Sequence, residues 1–156
     1  MKVKGERILF YSPGDYLSPH HLTRFTVDNV SFLNFDQYIG YQKAAYFKDE
    51  ETQNKIKQSN NMNHIMLMAR RIQGVNEEEW RTVFHDIAYK GIYEKFKQND
   101  VFSHKLVETG QKTLLNMSPY DSFWGTGPLK PDGSYIGSNH YGKILEEIRA
   151  KLTEAE

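Results

Sequence analysis

The stretch DQYIGYQKAAYFK, residues 36–48, is where the sequence changes from a β-type pattern to a helical one. Two short runs with the composition of strands precede it, Arg7–Tyr11 and Phe25–Phe32. The pair Asp28-Asn29 interrupts the second run and predicts a tight hairpin turn. We therefore expect a small N-terminal β-sheet followed by a largely helical chain.

The middle of the chain is expected to be helical. Asn76 and Glu79 form a capping box, in which each side chain satisfies a backbone amide at the start of a helix. A terminal helix with an apolar stripe is predicted from about Asn139. The whole pattern predicts an α+β, mostly helical fold in a single domain, residues 1–156. The other helices are predicted over residues 36–48, 50–72 with a break near Asn60-Asn61, 76–97 and 99–109, and a short strand over residues 113–117.

Composition limits the classes of protein to which the chain can belong. Its 156 residues suit one domain, and the absence of cysteine excludes disulfides, thiolate catalysis and cysteine metal sites. Twenty basic and twenty acidic side chains cancel, so no global charge draws the protein onto nucleic acid. No apolar stretch is long enough for a signal peptide or a membrane span, and we expect a cytoplasmic protein without a membrane partner.

The long segment between Pro119 and Gly142 is unusual. It holds five of the eleven glycines and three of the five prolines, and structureless segments of this length tend to be functional or disordered. Its aromatic residues, Tyr120, Phe123 and Trp124, are expected to form a buried cluster. The segment runs into a predicted helix N-terminus near Asn139, where backbone amides favour an anion, so we expect a phosphate there.

Asp36, Gly40 and Lys43 share one face of the first predicted helix, because residues four and seven apart lie above one another. A carboxylate, a gap and a cation on one face suit a ligand that lies against the helix at Gly40. The alternative is that Asp36 caps the helix and Lys43 belongs to the solvated surface.

Arg70 and Trp80 are further candidates, each with an ordinary explanation beside the functional one. Arg70 follows an apolar helix and suits a carboxylate or phosphate, but an arginine there also satisfies the helix dipole. Trp80 lies on a helical stripe with Phe84 and Ile87, a pattern that is typical of a core residue. The six histidines are scattered and lack metal-ligand spacing, so neither a metal nor another cofactor is expected.

A series of short motifs lies in order along residues 8–153. The motifs are Phe35-Asp36-Gln37-Tyr38, Gln42-Lys43, Arg70, Trp80, Lys95-Phe96, Asp121-Ser122-Phe123-Trp124-Gly125, Gly137-Ser138-Asn139-His140-Tyr141-Gly142 and Arg149. This series resembles the NADAR (YbiA-like) family of N-glycosidases. The resemblance implies an α+β, mostly helical fold and hydrolysis of N-glycosidic bonds to ribose 5-phosphate or ADP-ribose. It also implies the substrates of the family, whose members act on phosphoribosyl-pyrimidine intermediates of riboflavin synthesis or remove ADP-ribose from guanine bases.

The resemblance also implies roles for individual residues. Asp36 matches the family's catalytic glutamate and Lys43 its helix lysine, while the chain has Asp36-Gln37-Tyr38 where the family usually has Glu-His-Tyr. The catalytic carboxylate is thereby one methylene shorter, and Ala69 replaces the glycine that usually precedes the arginine. The remaining matches are Arg70 to the family's arginine, and Trp124, Gly125 and Asn139 to its loop motif.

These residues suggest a mechanism. Asp36 is the candidate catalytic carboxylate, and Asp121 the candidate second carboxylate or proton donor to the leaving base, although Asp121 could instead fix the loop through backbone amides. Trp124 would stack on a base. The predicted substrate-binding residues are Lys43, Arg70, Trp80, Trp124, Gly125 and Asn139.

The substrate expected from the resemblance is a phosphorylated ribosyl or ADP-ribosyl compound, with ADP-ribose removed from guanine bases of nucleotides or of modified DNA or RNA. A first alternative is an N-glycosidase of phosphoribosylamino-pyrimidine intermediates. A second is a module that binds an ADP-ribose-like nucleotide without cleaving it, because the carboxylate of Asp36 is too short. A third is a structural or interaction domain with an ordinary aromatic core. The sequence predicts no oligomeric state.

Overall fold

The computed structural model describes residues 1–155, and this part of the chain contains six α-helices and five short β-strands. The fold is α+β and mostly helical, which confirms the prediction from sequence. The chain forms two compact units. Unit 1 consists of residues 1–21 and the chain from Asn99 onward, and unit 2 of residues 22–98. Within residues 1–155, no helix is both long enough and apolar enough to span a bilayer.

Unit 1 contains a three-stranded sheet in the order β1-β2-β5. Strand β1 (Lys2–Lys4) is antiparallel to β2 (Arg7–Phe10), and β2 is parallel to β5 (Thr113–Asn116). The central strand is buried at Ile8, Leu9 and Phe10, as expected of a strand that is covered on both faces. Strand β1, which is exposed throughout, was not predicted, because its alternating charges give no apolar signal.

Two helices complete unit 1, α5 (Asp100–Glu108) and α6 (His140–Ala155). Helix α6 was predicted from its apolar stripe, and the stripe is buried. The guanidinium of Arg149 on the same helix donates to the Thr109 hydroxyl at 2.9 Å and the Lys112 carbonyl at 2.8 Å. The buried apolar residues of α6 are Tyr141, Ile144, Leu145, Ile148 and Leu152.

Unit 2 begins with a hairpin of β3 (Phe25–Val27) and β4 (Val30–Phe32). Asp28 and Asn29 form its turn with φ angles of 50° and 66°, the left-handed conformation that a two-residue hairpin requires and that these residue types tolerate. The predicted hairpin is therefore confirmed.

Four helices follow in unit 2, and polar residues immediately before them fix their starts. In every case the side chain of the capping residue accepts a hydrogen bond from a backbone amide three residues later, which satisfies one of the unpaired amides of the first turn. The predicted break in the second helical region is confirmed, because Asn61 starts a new helix. The helices are α1 (Phe35–Tyr46), α2 (Glu50–Gln58), α3 (Met62–Ala69) and α4 (Glu77–Lys97), and the capping residues are Asn34, Asp49, Asn61 and Asn76.

A glycine on α4 makes room for a tyrosine of α1. Tyr38 is buried, and its hydroxyl donates to the carbonyl of Ile87 at 2.7 Å. A Cβ atom at Gly91 would overlap the Tyr38 ring. Burial raises the pKa of the Tyr38 hydroxyl, so this group stays protonated and keeps donating. The approach of α1 to α4, the two helices that carry Asp36 and Lys95, therefore depends on Gly91.

Replacing Gly91 by alanine should destabilise the fold by about 1–3 kcal/mol, since the added methyl group can be accommodated only if the Tyr38 ring or α4 moves. Urea denaturation of wild type and Gly91→Ala measures the change. Gly14→Ala is the control, because the nearest atom to a Cβ there is the Ser12 hydroxyl at 3.6 Å. Equal losses in the two variants would contradict the proposed packing.

Candidate active site

The predicted site residues fall into two groups. Asp36, Lys43, Arg70 and Trp80 belong to unit 2. Asp121, Trp124, Gly125 and Asn139 belong to unit 1.

Asp36 is the second residue of α1 and is partly buried. The helix is capped by Asn34, whose side chain accepts from the Gln37 amide at 3.0 Å. Asp36 is therefore not the capping residue, and the structural role considered for it from sequence is wrong. Its place in the first turn suits a negative charge, because the helix dipole is positive there.

Lys95 on α4 is fully buried, with 0% of its surface exposed. Burial lowers the pKa of its ammonium group from 10.5 to about 7, and the negative charge of Asp36 opposes this shift. The side chains of Asp36 and Lys95 thus interact electrostatically within unit 2. This interaction is the main feature that the assignment of site residues from sequence missed.

The sequence does contain a signal for Lys95. Apolar residues at helical spacing lead to it along α4, and a lysine on such a stripe is rarely buried without a partner. A charged residue in an apolar stripe therefore indicates a function even where no motif is recognised. The buried residues of α4 are Trp80, Phe84, Ala88, Gly91, Ile92, Lys95 and Phe96.

Lys43 and Trp80, two predicted substrate-binding residues, lie together. The Lys43 ammonium is 5.3 Å from the centroid of the Trp80 ring, a distance at which a cation interacts with an aromatic face. Lys43 also lies 3.4 Å from a carboxylate oxygen of Glu77, whose side chain is 69% exposed. Because exposed ion pairs contribute only about 0–1 kcal/mol, an incoming phosphate can compete for Lys43.

Trp80 itself is a core residue. Only 4% of it is exposed, and its ring packs against Tyr46 and Phe47 at centroid distances of 6.4 and 6.3 Å. The structure therefore favours the core interpretation over direct contact with a substrate. Any effect of Trp80 on binding would act through Lys43.

The gap predicted at Gly40 is not available to a ligand. Gly40 is buried, and a Cβ atom there would lie 3.3 Å from the Ala69 methyl and 3.4 Å from Ile56 Cδ1. Side chains of α2 and α3 fill the space beside α1, so the expectation of a ligand against Gly40 is wrong. The glycine allows three helices to pack closely.

Arg70 is the C-terminal capping residue of α3, and its side chain is exposed. This position satisfies the helix dipole, and it also leaves the guanidinium accessible to an anion from solvent. Both interpretations from sequence agree with the structure.

In unit 1, Asp121 fixes the start of the loop that carries Trp124. One carboxylate oxygen of Asp121 accepts from the amides of Phe123 at 2.9 Å and Trp124 at 2.8 Å. This arrangement matches the structural role considered for Asp121 and reduces the case for Asp121 as a second catalytic carboxylate. Phe123 and Trp124 meet edge to face, with ring centroids 4.9 Å apart.

The expected aromatic cluster is only partly formed. Phe123 and Trp124 are partly buried, whereas Tyr120 is 91% exposed and does not belong to a buried group. The prediction was wrong for Tyr120 because Asp121 turns the backbone directly after it.

Gly125 is required by close backbone packing. A Cβ atom there would lie 2.7 Å from the carbonyl oxygen of Asn116 and 2.8 Å from that of Asp121, closer than real Cβ contacts allow. Close packing of the backbone therefore explains why this loop motif contains a glycine, and the explanation does not require Gly125 to contact a substrate.

Asn139 holds the same loop segment to strand β5. Its side-chain oxygen accepts from the Asn116 amide at 2.9 Å, and its side-chain nitrogen donates to the Leu114 carbonyl at 3.0 Å. Asn139 is 2% exposed and has a φ of 50°, so the backbone is in the left-handed conformation. The structure thus assigns Asn139 a positioning role, which differs from the substrate contact that was predicted.

The backbone amides at the start of α6 are also occupied. The amides of residues 139, 140 and 141 donate to the carbonyls of Gly125, Phe123 and Trp124 at 2.9, 3.1 and 3.1 Å. These hydrogen bonds satisfy the groups that were expected to bind an anion, so the predicted phosphate site at this helix terminus is not supported.

The comparison with known protein families decides the classification. The model of the NADAR domain matches residues 9–153, nearly the whole chain. The chain belongs to the NADAR family. The family resemblance inferred from the sequence motifs is confirmed, and it covers both units.

Relatives of this NADAR protein carry enzymatic names. An N-glycosidase of Acanthamoeba polyphaga mimivirus is 32% identical over 126 residues, which cover 77% of this chain and 74% of the relative. A riboflavin biosynthesis protein of Vibrio vulnificus is 28% identical over 155 residues, 97% of this chain but only 40% of that protein. The solution structure of the Escherichia coli protein YbiA matches with a TM-score of 0.82 at 25% identity, over 98% of this chain and 89% of that one.

Within residues 1–155, no three histidine, aspartate or glutamate side chains are grouped so that they could hold a metal ion.

Asn139→Ala should destabilise the protein by about 3 kcal/mol, because it leaves a buried amide at Asn116 and a buried carbonyl at Leu114 without partners. Asn29→Ala is the matched control, since Asn29 also has a positive φ but lies in an exposed turn. The control should lose only about 1 kcal/mol from backbone strain. Urea denaturation tests both variants, and a loss for Asn139→Ala no larger than that of the control would contradict the positioning role.

Lys95 should make the free energy of unfolding depend on pH. Because its pKa in the folded protein is about 7 and its ordinary value is 10.5, the folded protein releases a proton that the unfolded chain retains between these values. Stability therefore rises with pH in this interval, by about 2 kcal/mol between pH 7 and 9.

Lys95→Met should remove that increase, whereas Lys90→Met should retain it. Lys90 lies on the same helix, is exposed and pairs with Asp28 at 3.1 Å, so it is a matched control. Urea denaturation at pH 6, 7, 8 and 9 gives the slopes. Identical pH dependence in wild type and Lys95→Met would show that Lys95 has an ordinary pKa in the folded protein.

Proposed function

We propose that this NADAR protein is an N-glycosidase that hydrolyses the bond between a base and a phosphorylated ribose, and that its substrate is ADP-ribose attached to a guanine base. The type of bond, an N-glycosidic bond, is supported by membership of the family and by relatives that are named N-glycosidases. The observation that carries the proposal is Asp36, a partly buried carboxylate at the start of α1 that interacts with a buried cation.

Cleavage of a ribosyl C–N bond passes through an oxocarbenium-like transition state, which needs a negative charge near C1′ and a held water molecule. The carboxylate of Asp36 can supply both. It stabilises the positive charge that develops on the sugar and then accepts a proton from the attacking water. The water oxygen forms the new bond to C1′, and the base leaves with the electrons of the C–N bond. The base takes up one proton from solvent, and Asp36 afterwards releases to solvent the proton that it accepted from the water, so that one water is consumed.

Cationic side chains of unit 2 would bind the phosphates. Lys43 is only 23% exposed at its side chain and is held by Trp80 and Glu77, so its position is restricted before a ligand arrives. Arg70 offers an exposed guanidinium with the planar geometry that suits phosphate oxygens.

A second candidate substrate is a phosphoribosylamino-pyrimidine, an intermediate of riboflavin synthesis. The riboflavin biosynthesis protein of Vibrio vulnificus favours it, because its similarity extends over 97% of this chain. Both substrates contain a base on a phosphorylated ribose, so the same carboxylate chemistry applies. Only the ADP-ribosyl substrate carries a second phosphate and an adenosine.

The proposal also includes the compartment of the reaction and the molecule that carries the modified base. The substrate would be a nucleotide or a base within DNA or RNA in the cytoplasm, and the reaction would reverse ADP-ribosylation of guanine. Since basic and acidic side chains are equal in number, contact with nucleic acid would be confined to the modified base and its neighbours.

Incubation of the purified protein with an ADP-ribosyl-guanine oligonucleotide, and separately with the phosphoribosylamino-pyrimidine, tests the proposal. Mass spectrometry follows the released sugar and base. We expect release of ADP-ribose from the oligonucleotide and at least about 100-fold slower release with Asp36→Asn, because the charge that stabilises the transition state is lost.

The possible outcomes separate the alternatives. Release from the pyrimidine substrate alone would assign the protein to the riboflavin intermediates. Binding of ADP-ribose without release of a base from either compound would identify a binding module, in which the carboxylate of Asp36 is too short to act. If Asp36→Asn and Trp124→Ala both leave ligand binding unchanged, the domain has a structural role.

A further inference from the structure

Lys95 is a buried charged residue to which the proposed reaction assigns no role. It lies on α4 with no exposed surface, its ammonium is 5.2 Å from the centroid of the adjacent Phe96 ring, and its neighbours along the helix face are apolar. Burying a lysine in such surroundings is costly, and the neutral residue methionine would fill the same space without that cost. A lysine at this position therefore needs an explanation beyond packing.

The partner of Lys95 provides that explanation. Asp36 lies two residues before Tyr38 on α1, Lys95 lies one helical turn after Gly91 on α4, and the close packing of Tyr38 against Gly91 holds these helices in contact. In agreement with this placement, the negative charge of Asp36 raises the pKa of Lys95. Asp36 is partly exposed, whereas Lys95 is inaccessible from solvent. Part of Asp36 is thus open to a substrate, whereas Lys95 is not.

We propose that Lys95 is a positioning residue that acts through Asp36, fixing the carboxylate of Asp36 from its buried side so that the exposed side faces the substrate. This inference rests on the proposed function of Asp36. Since an aspartate has only two side-chain torsions, an attraction to one fixed amine, which carries N–H donors in both its charged and its neutral form, is enough to select one orientation. Lys95 is not a nucleophile here, because its amine has no access to the sugar.

The arrangement also explains how a carboxylate shorter than the family's usual glutamate can be used. A shorter side chain has less reach, and its catalytic effect depends more strongly on where it is held. An anchor on the buried side removes the orientations in which the carboxylate turns away from the sugar. Lys95 would then affect the chemical step and leave substrate binding almost unchanged.

A double-mutant cycle of Lys95→Met and Asp36→Asn, assayed on whichever substrate the wild type cleaves, tests the proposal. We expect Lys95→Met to lower kcat by about 30- to 100-fold, the size of effect that a misplaced catalytic group produces. KM should change by less than about threefold, because the contacts that bind the substrate in the ground state are kept and only the transition state loses stabilisation. The double variant should be no slower than Asp36→Asn alone, because Lys95 acts only through Asp36.

Lys90→Met is the matched control. It removes a lysine from the same helix that also pairs with an aspartate, Asp28, but is exposed, and kcat should stay within about twofold of wild type. Thermal melts and circular dichroism confirm that each variant is folded under assay conditions. A Lys95→Met variant with wild-type kcat, beside an inactive Asp36→Asn, would overturn the positioning role and leave the proposed function intact. A fully active Asp36→Asn variant would overturn both proposals.

A second measurement does not depend on activity or on the folding of Lys95→Met. The ammonium group of Lys95 can be titrated by NMR with ¹³C- and ¹⁵N-labelled lysine in wild type and in Asp36→Asn. Removing the carboxylate should move the pKa of Lys95 below its value of about 7, since Asp36 raises it. An unchanged titration would show that the two side chains do not interact, and the proposal would fail.

Discussion

A lysine ammonium group with no exposed surface is the constraint around which unit 2 is arranged. Lys95 is buried on α4, and the charge that compensates it comes from Asp36 at the start of α1. Such an interaction is effective only if the two helices are held at a fixed distance. Gly91 provides this, because it lets the Tyr38 ring lie directly against α4. The candidate catalytic carboxylate is therefore placed by helix packing.

In unit 1, hydrogen bonds from side chains to backbone groups fix the loop that contains the predicted site residues. The loop that carries Trp124 contains neither helix nor strand, yet Asp121 and Asn139 fix its two ends. Gly125 allows the backbone of the loop to approach β5 more closely than any other residue would permit. Gly125 and Asn139, which were predicted to contact a substrate, thus hold the loop in place.

Membership of the NADAR family and the physical site lead to the same candidate carboxylate by different routes. The family match covers residues 9–153 and says nothing about which side chains are buried. The structure leaves Asp36 partly buried at the start of α1 and places Lys43 beside Trp80 and Glu77. Asp36 remains the candidate carboxylate, while Trp80 and Asn139 contact and support other residues of their own units.

The sequence by itself determined the features that depend on neighbours a few residues apart. Helix starts at Asn61 and Asn76, the hairpin at Asp28-Asn29 and the apolar stripe of α6 were all predicted, because caps, turns and helical periods are local. Tertiary structure alone decided that side chains from two other helices fill the space at Gly40 and that Lys95 is buried beside Asp36. These outcomes depend on which distant elements pack together, and no short pattern encodes that.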